Sequence, residues 1–187
     1  MNEVKKNQNN GFIISECMMS SVQSGLQTRN KNFPIYNDQK KSQPDKISGL
    51  KDFIFDFLGE YLNEIKENGI IESVHQTKIM ELADKVTNQF WPILHEGRFR
   101  IGISQKIINL FLKYMWSMNE IPEPCHCPID GIVKSQLKNK TIDFLLVDWT
   151  RLDQMDDYQS YVKAVKQVAD EKNLSIAQWE YDHWKRR

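Results

Sequence analysis

This chain is short of the features that assign a protein quickly. It has only three cysteines, Cys17, Cys125 and Cys127. So small and odd a set argues against a disulfide framework and fits a reducing compartment. It has no net charge, because 25 basic and 25 acidic side chains cancel. No global field draws it to nucleic acid or to an anionic membrane, so binding to either must come from a local patch. No apolar run approaches the roughly 18–20 residues that span a bilayer. The N-terminal MNEVKKNQNNGFII has a basic start but lacks the apolar core of a secretory signal. These absences predict a cytoplasmic chain with no membrane association. Internal repeats, a Gly-rich nucleotide loop, a nucleophile elbow and an HExxH pair are also missing. Asp143 and Asp148, like Asp156 and Asp157, have no spacing that implies a two-metal site.

Residues 1–48 are rich in Asn, Gln, Lys and Ser, as in NQNN, QTRNKN and NDQKKSQPDK. Such a segment buries too little apolar area to offset its ordering entropy. It is expected to be a disordered arm in which only GFII and MMSSV dock on the rest of the chain. The functional alternative is an arm that orders on a protein partner.

Residues 49–187 carry the core. Four of the five tryptophans lie beyond residue 100, which puts most of the large side chains in the C-terminal part. Leu50, Phe53, Ile54, Phe57, Leu58, Tyr61, Leu62 and Ile65 recur at helical steps, and Asn68-Gly69 is a suitable stop. A second helix over 73–90 presents Ile79, Leu82, Ala83, Val86 and Phe90 and closes at Trp91-Pro92. A third, over 103–118, is apolar nearly all round and is therefore expected to be central and buried. Its polar exceptions are Gln105, Lys106, Asn109 and Lys113, and Lys106 and Asn109 share a face. The prolines of NEIPEPCHCP exclude helix, and Asp130 stands at the N-cap position of GIVKSQLK. The run DFLLVDW, 143–149, is a buried strand or an extended connector. Thr150 with Asp153 reads as the start of a helix, and Ser175 with Gln178 as a capping box for a last helix carrying Trp179, Tyr181 and Trp184. Asn173 is the expected stop between these two helices. The predicted fold is all-α: a compact helical domain whose central helix is followed by a Pro-rich loop.

Chemistry concentrates between Arg98 and Gln136. Lys106 lies near the start of the buried helix, and Asp130 ends the loop after it. The two can form a structural arrangement in which Lys106 reaches solvent and Asp130 caps a helix. Alternatively, desolvation lowers the lysine pKa and makes it an amine nucleophile beside an acid/base carboxylate. Arg98, Arg100 and Lys106 form the best local basic patch, RFRIGISQK, which contains no acid. Arg98 and Arg100 precede a helix N-terminus, where a phosphate can bind, or they are ordinary surface charges. Gln105 is a candidate for reading a base edge, and Trp149 for stacking on an extruded base. Cys125-His126-Cys127 invites a metal reading, but zinc takes about four ligands. His75, His95 or His183 would have to complete the set from distant helices, so no metal or other cofactor is expected. His126 instead becomes a candidate pocket residue.

GISQKIINLFL followed by PIDGIVKSQL resembles the core of the helix–hairpin–helix DNA glycosylases, and PEPCHCPID most resembles the approach to the aspartate in the archaeal 8-oxoguanine type. The resemblance spans Arg98 to Gln136. It implies a DNA partner and an all-α fold with no cofactor. It also implies that Lys106 attacks C1′ beneath a flipped-out base while Asp130 supplies acid/base and cation-stabilising chemistry. Arg98, Arg100, Gln105, Asn109, His126 and Trp149 would contact substrate. Lys113 takes the role of Lys106 if the register shifts. The chain departs from the family hairpin, with a single glycine, Gly102, before the lysine. The rival reading is a non-enzymatic helical module that binds nucleic acid or protein.

Overall fold

A helix that is apolar on nearly every face has no place except the interior. The computed structural model describes residues 3–138 and 147–183, with side chains from Asn10 onward. In it that helix is α4, Ile101–Ser117. Ile103, Ile107, Ile108, Phe111, Leu112 and Met115 have no exposed surface. The other helices are α1 (Glu3–Leu26), α2 (Pro44–Asn68), α3 (Glu72–Phe90), α5 (Gly131–Lys138), α6 (Met155–Asp170) and α7 (Ile176–His183). Among the described residues the only β pairing is one antiparallel bridge, Tyr36 with Leu94, so the described architecture is all-helical. None of these helices is long and apolar enough to cross a membrane.

The helices around α4 form where the hydrophobic pattern puts them. α2 opens on Pro44, at a position where the helix needs no N–H. It buries Leu50, Ile54, Phe57, Leu58, Tyr61, Leu62 and Ile65 and ends at Gly69, whose φ of 76° suits glycine and whose N–H donates to the Ile65 carbonyl. α3 buries Ile79, Leu82, Ala83, Val86 and Phe90, then breaks at Trp91-Pro92 into two 3-10 turns that end at Gly97. Asn173, with a φ of 56°, closes the turn after α6, and the Ser175 hydroxyl caps α7 by accepting from Gln178 N–H at 3.0 Å.

The N-terminus departs most from expectation. In place of a disordered arm there is α1, packed along α4. Ser21 and Val22 are buried, and Ile14, Cys17 and Met18 pack against the core. With Gly25 these residues recur at helical steps. At Gly25 an added Cβ would meet Ile107 Cγ1 at 2.2 Å, so glycine permits the close crossing. Composition averages over this stripe and hides it. A weak stripe is enough here, because helices in proteins draw most of their stability from tertiary packing. After α1 the chain runs as a strap across the α3–α4 connection. Asn37 N–H donates to Ile93 O at 3.1 Å and His95 N–H to Ile35 O at 3.0 Å, while the Asn37 amide reaches Pro92 O and Leu94 O. The strap ends in the 3-10 turn Asp38–Ser42.

A second departure concerns Thr150 and Asp153. α6 starts only at Met155, behind Gln154. The Thr150 hydroxyl instead accepts from the Asn30 amide at 3.0 Å, and Asp153 Oδ1 accepts from Ile101 N–H at 3.1 Å, capping α4. Gly102 N–H donates to Leu152 O at 2.8 Å. A Cβ on Gly102 would lie 1.8 Å from Trp149 O, so Gly102 serves a close backbone crossing rather than a hairpin. Most of the run 143–149, together with Trp184 and the KRR tail, lies outside the described residues.

Three glycines separate these roles experimentally. Gly102→Ala and Gly25→Ala each lower stability by about 1–3 kcal/mol through overpacking. Gly11 sits in α1 with nothing within 4 Å of an added Cβ, so Gly11→Ala raises stability by about 0.4–1 kcal/mol. Urea midpoints measure all three. A neutral Gly11→Ala would sink the helical reading of the N-terminus.

Candidate functional site

The end of α1, the strap and α4 line an open cavity of about 550 Å³. Its lining includes Ser24, Arg29, Tyr36, Lys40 and Lys106 and, among the described residues, no carboxylate. Three cations facing one space without a lining acid make it electropositive. Lys106 is half-buried. Its ammonium donates to the Ser24 carbonyl at 2.9 Å and stands 4.2 Å from the centre of the Trp149 ring. Burial lowers its pKa, and the nearby Asp130 charge opposes that in part. Burial also pushes the Tyr36 hydroxyl up to about 12, and among the described residues that hydroxyl has no hydrogen-bond partner. The Lys40 ammonium lies 5.5 Å from the Tyr36 ring centre.

The residues expected to act with Lys106 are only partly gathered around it. Asp130 caps α5, accepting from the N–H groups of Ile132 and Val133 at 2.8 and 3.2 Å. Arg98 is held by Asp153 at 2.9 Å and by Asp84 at 2.7 Å. Arg100 is buried, and its Nη2 donates to Pro34 O at 2.7 Å. The N–H groups at the start of α4 are spent on Asp153 and on Leu152 O. The basic stretch before α4 is therefore consumed in tying the strap and residues 150–153 to the fold. Lys113, the alternative nucleophile, is ion-paired with Glu180 at 2.6 Å.

Gln105, Asn109 and His126 belong to a second place, on the α3 and α6 side of α4. There a hydrogen-bond chain runs through the core, and its proton positions follow from its fixed end. The Gln105 amide donates to Gly102 O and Ile129 O, and its oxygen accepts from Ile129 N–H. Backbone carbonyls cannot donate, so this orientation is unique. The group facing Gln105 Oε1 must then be the Asn109 NH₂, which also donates to Tyr158 at 3.0 Å. Asn109 Oδ1 consequently faces His75 Nε2 at 2.8 Å, and that nitrogen carries the proton. His75 Nδ1 is left to accept from the Tyr61 hydroxyl at 3.0 Å. At the other end the Glu72 carboxylate can only accept, so His126 carries its proton on Nε2, 3.1 Å from Glu72, and its Nδ1 accepts from the Tyr158 hydroxyl at 2.9 Å. Both imidazoles are neutral. Desolvation lowers His75 to about 3, with His126 adding to the shift, and desolvation also lowers His126.

His75, Cys125 and His126 each bring a ligating atom within 4.8 Å of the others. The sequence does carry a signal for His75, because it extends the buried stripe of Ile79, Leu82, Val86 and Phe90 by one turn. Tyr158 carries the same kind of signal, on the stripe Met155, Tyr158, Val162, Val165 and Ala169 of α6, whereas Glu72 has none. Arg29, Tyr36 and Lys40 were hidden in the segment expected to be disordered. No family model, no curated protein and no solved structure matches the chain.

The neutral histidines set a pH dependence. Unfolded, each titrates near 6.5, and His75 does so only near 3 when folded. Below pH 6.5 the unfolded chain binds more protons, so this contribution is complete above that pH and declines as pH falls toward 3. The slope is ~1.4 kcal/mol per pH unit for His75, with His126 adding to it. The urea midpoint should drop between about pH 7.5 and about pH 5, above most carboxylate titrations. Equal midpoints would overturn the neutral assignment.

Proposed function

We propose that this chain binds a phosphate-bearing unit of a nucleic acid in the cavity between α1, the strap and α4. The observation that carries this reading is the lining, with Arg29, Lys40 and Lys106 around one space and no acid among the described residues that line it. The volume of about 550 Å³ falls within the range of small-molecule sites, roughly 300–1,000 Å³. It therefore suits one nucleotide, free or extruded from a strand. The cations take the phosphate, and the Tyr36 hydroxyl, without a partner among the described residues, offers a donor to sugar or base. Because the chain has no net charge, affinity has to come from this patch.

The enzymatic form of the same reading is a DNA glycosylase/lyase that resembles the helix–hairpin–helix type. The lowered pKa of Lys106 favours it. The free amine attacks C1′, the bond from C1′ to the base breaks, and the base leaves with a proton. Loss of a proton from the new ammonium and ring opening then give a Schiff base. Asp130, which opposes the desolvation of Lys106, would stabilise positive charge on the sugar. The lysine also has a structural task, because it ties the last turn of α1 through Ser24 O.

Binding to labelled single-stranded and duplex DNA, measured by anisotropy across a salt series, tests the first reading. Arg29→Gln and Lys40→Gln should each flatten the log–log salt slope by about 0.7–0.9; unchanged slopes would remove the cavity from the interface. Borohydride trapping on abasic-site and 8-oxoguanine DNA tests the second. A covalent adduct that disappears in Lys106→Gln supports the lyase. Salt-dependent binding without an adduct leaves a binding module, and an adduct surviving in Lys106→Gln excludes Lys106 as nucleophile.

A further inference from the structure

We infer that His75, Cys125 and His126 form a binding site for a zinc-class divalent metal, with Glu72 supplying a carboxylate at its solvent side. The nucleic-acid cavity takes no part in this argument. Three donors from two places far apart in sequence converge, with His75 on the first turn of α3 and Cys125-His126 in the loop between α4 and α5. One ligating atom of each lies within 4.8 Å of the others. The imidazole rings of His75 and His126 have centroids 5.0 Å apart.

The surroundings are those of a ligand set. Metal-bound histidines usually donate their second ring N–H to a fixed oxygen. Asn109 Oδ1 already holds His75 Nε2–H at 2.8 Å, which leaves Nδ1, now accepting from Tyr61. Tyr158 holds His126 Nδ1 at 2.9 Å, which leaves Nε2, now facing Glu72 at 3.1 Å. For a metal to bind at Nε2, the His126 proton moves to Nδ1 and Tyr158 becomes its acceptor. Burial and the Glu72 charge push the Cys125 thiol up to about 12, and the backbone N–H groups of Cys125 and His126 oppose only part of that shift. Glu72 is 60% exposed on its side chain while that of His126 is 1% exposed, so an ion has an entry from solvent on the Glu72 side.

The donor set selects the metal. Two imidazoles and a thiolate, with a carboxylate or water in a fourth position, suit borderline-soft Zn²⁺ at tetrahedral geometry rather than Ca²⁺ or Mg²⁺, which prefer oxygen. On binding, the Cys125 thiol gives its proton to solvent and the sulfur lone pair goes to the metal, with no change of oxidation state. Cys127, two residues on, is buried near Lys113 and Glu180 and is not one of the three converging donors.

Cobalt(II) titration of the full chain, stripped of metal with a chelator, tests this. The expected result is one equivalent bound, with a thiolate-to-cobalt charge-transfer band and d–d bands of tetrahedral intensity, all removed by one equivalent of zinc. Cys125→Ser abolishes the charge-transfer band, and His75→Gln weakens binding by at least about tenfold. Cys127→Ser keeps the band, which holds the assignment even if His75→Gln fails to fold. Absence of a charge-transfer band in the native chain, its survival in Cys125→Ser, or its loss in Cys127→Ser with the fold intact would each overturn the site.

Discussion

The carboxamide of Asn109 holds the described structure together. It sits on α4 with no exposure, and its partners come from three directions: His75 on α3, Tyr158 on α6, and Gln105, which in turn holds the loop at Ile129. A buried polar group costs free energy unless every donor and acceptor is met. Here each member fixes the orientation of the next, from the backbone carbonyls at Gln105 to the carboxylate of Glu72. The chain can place these side chains in essentially one arrangement, whereas apolar packing alone tolerates several.

The same helix faces two different environments. Lys106 and Asn109, three residues apart, differ by about 60° around the helix axis. That angle separates a half-buried ammonium against α1 and Trp149 from a carboxamide deep in the α3–α6 interior. The electropositive cavity exists because α1 and the strap close over this side of α4. Remove α1, and Lys106 loses both the carbonyl it caps and the burial that lowers its pKa.

The arginines show how charge in sequence differs from charge available to a ligand. Arg98 and Arg100 read as the best basic patch of the chain. Yet Arg98 is neutralised by Asp84 and Asp153, and Arg100 is buried against the strap. The usable cations, Arg29 and Lys40, come from a polar stretch whose composition says little about position.

What the sequence by itself determined is whatever depends on local periodicity and local hydrogen bonding. The stripes of α2 and α3, the all-round apolar α4, the stop at Gly69, the Asp130 cap and the Ser175 cap were all legible, because the energies that fix them act within one or two turns. The stripe of α1 was written there too, from Ile14 to Gly25, but it was too weak to outweigh the polar composition around it. Only the tertiary structure decided that Asp153 caps α4 rather than α6 and that Gly102 serves a crossing at Trp149. The meeting of His75 with Cys125 and His126, about fifty residues apart, was decided there as well. Which residues meet depends on helix packing across long sequence separations, and no local pattern encodes that encounter.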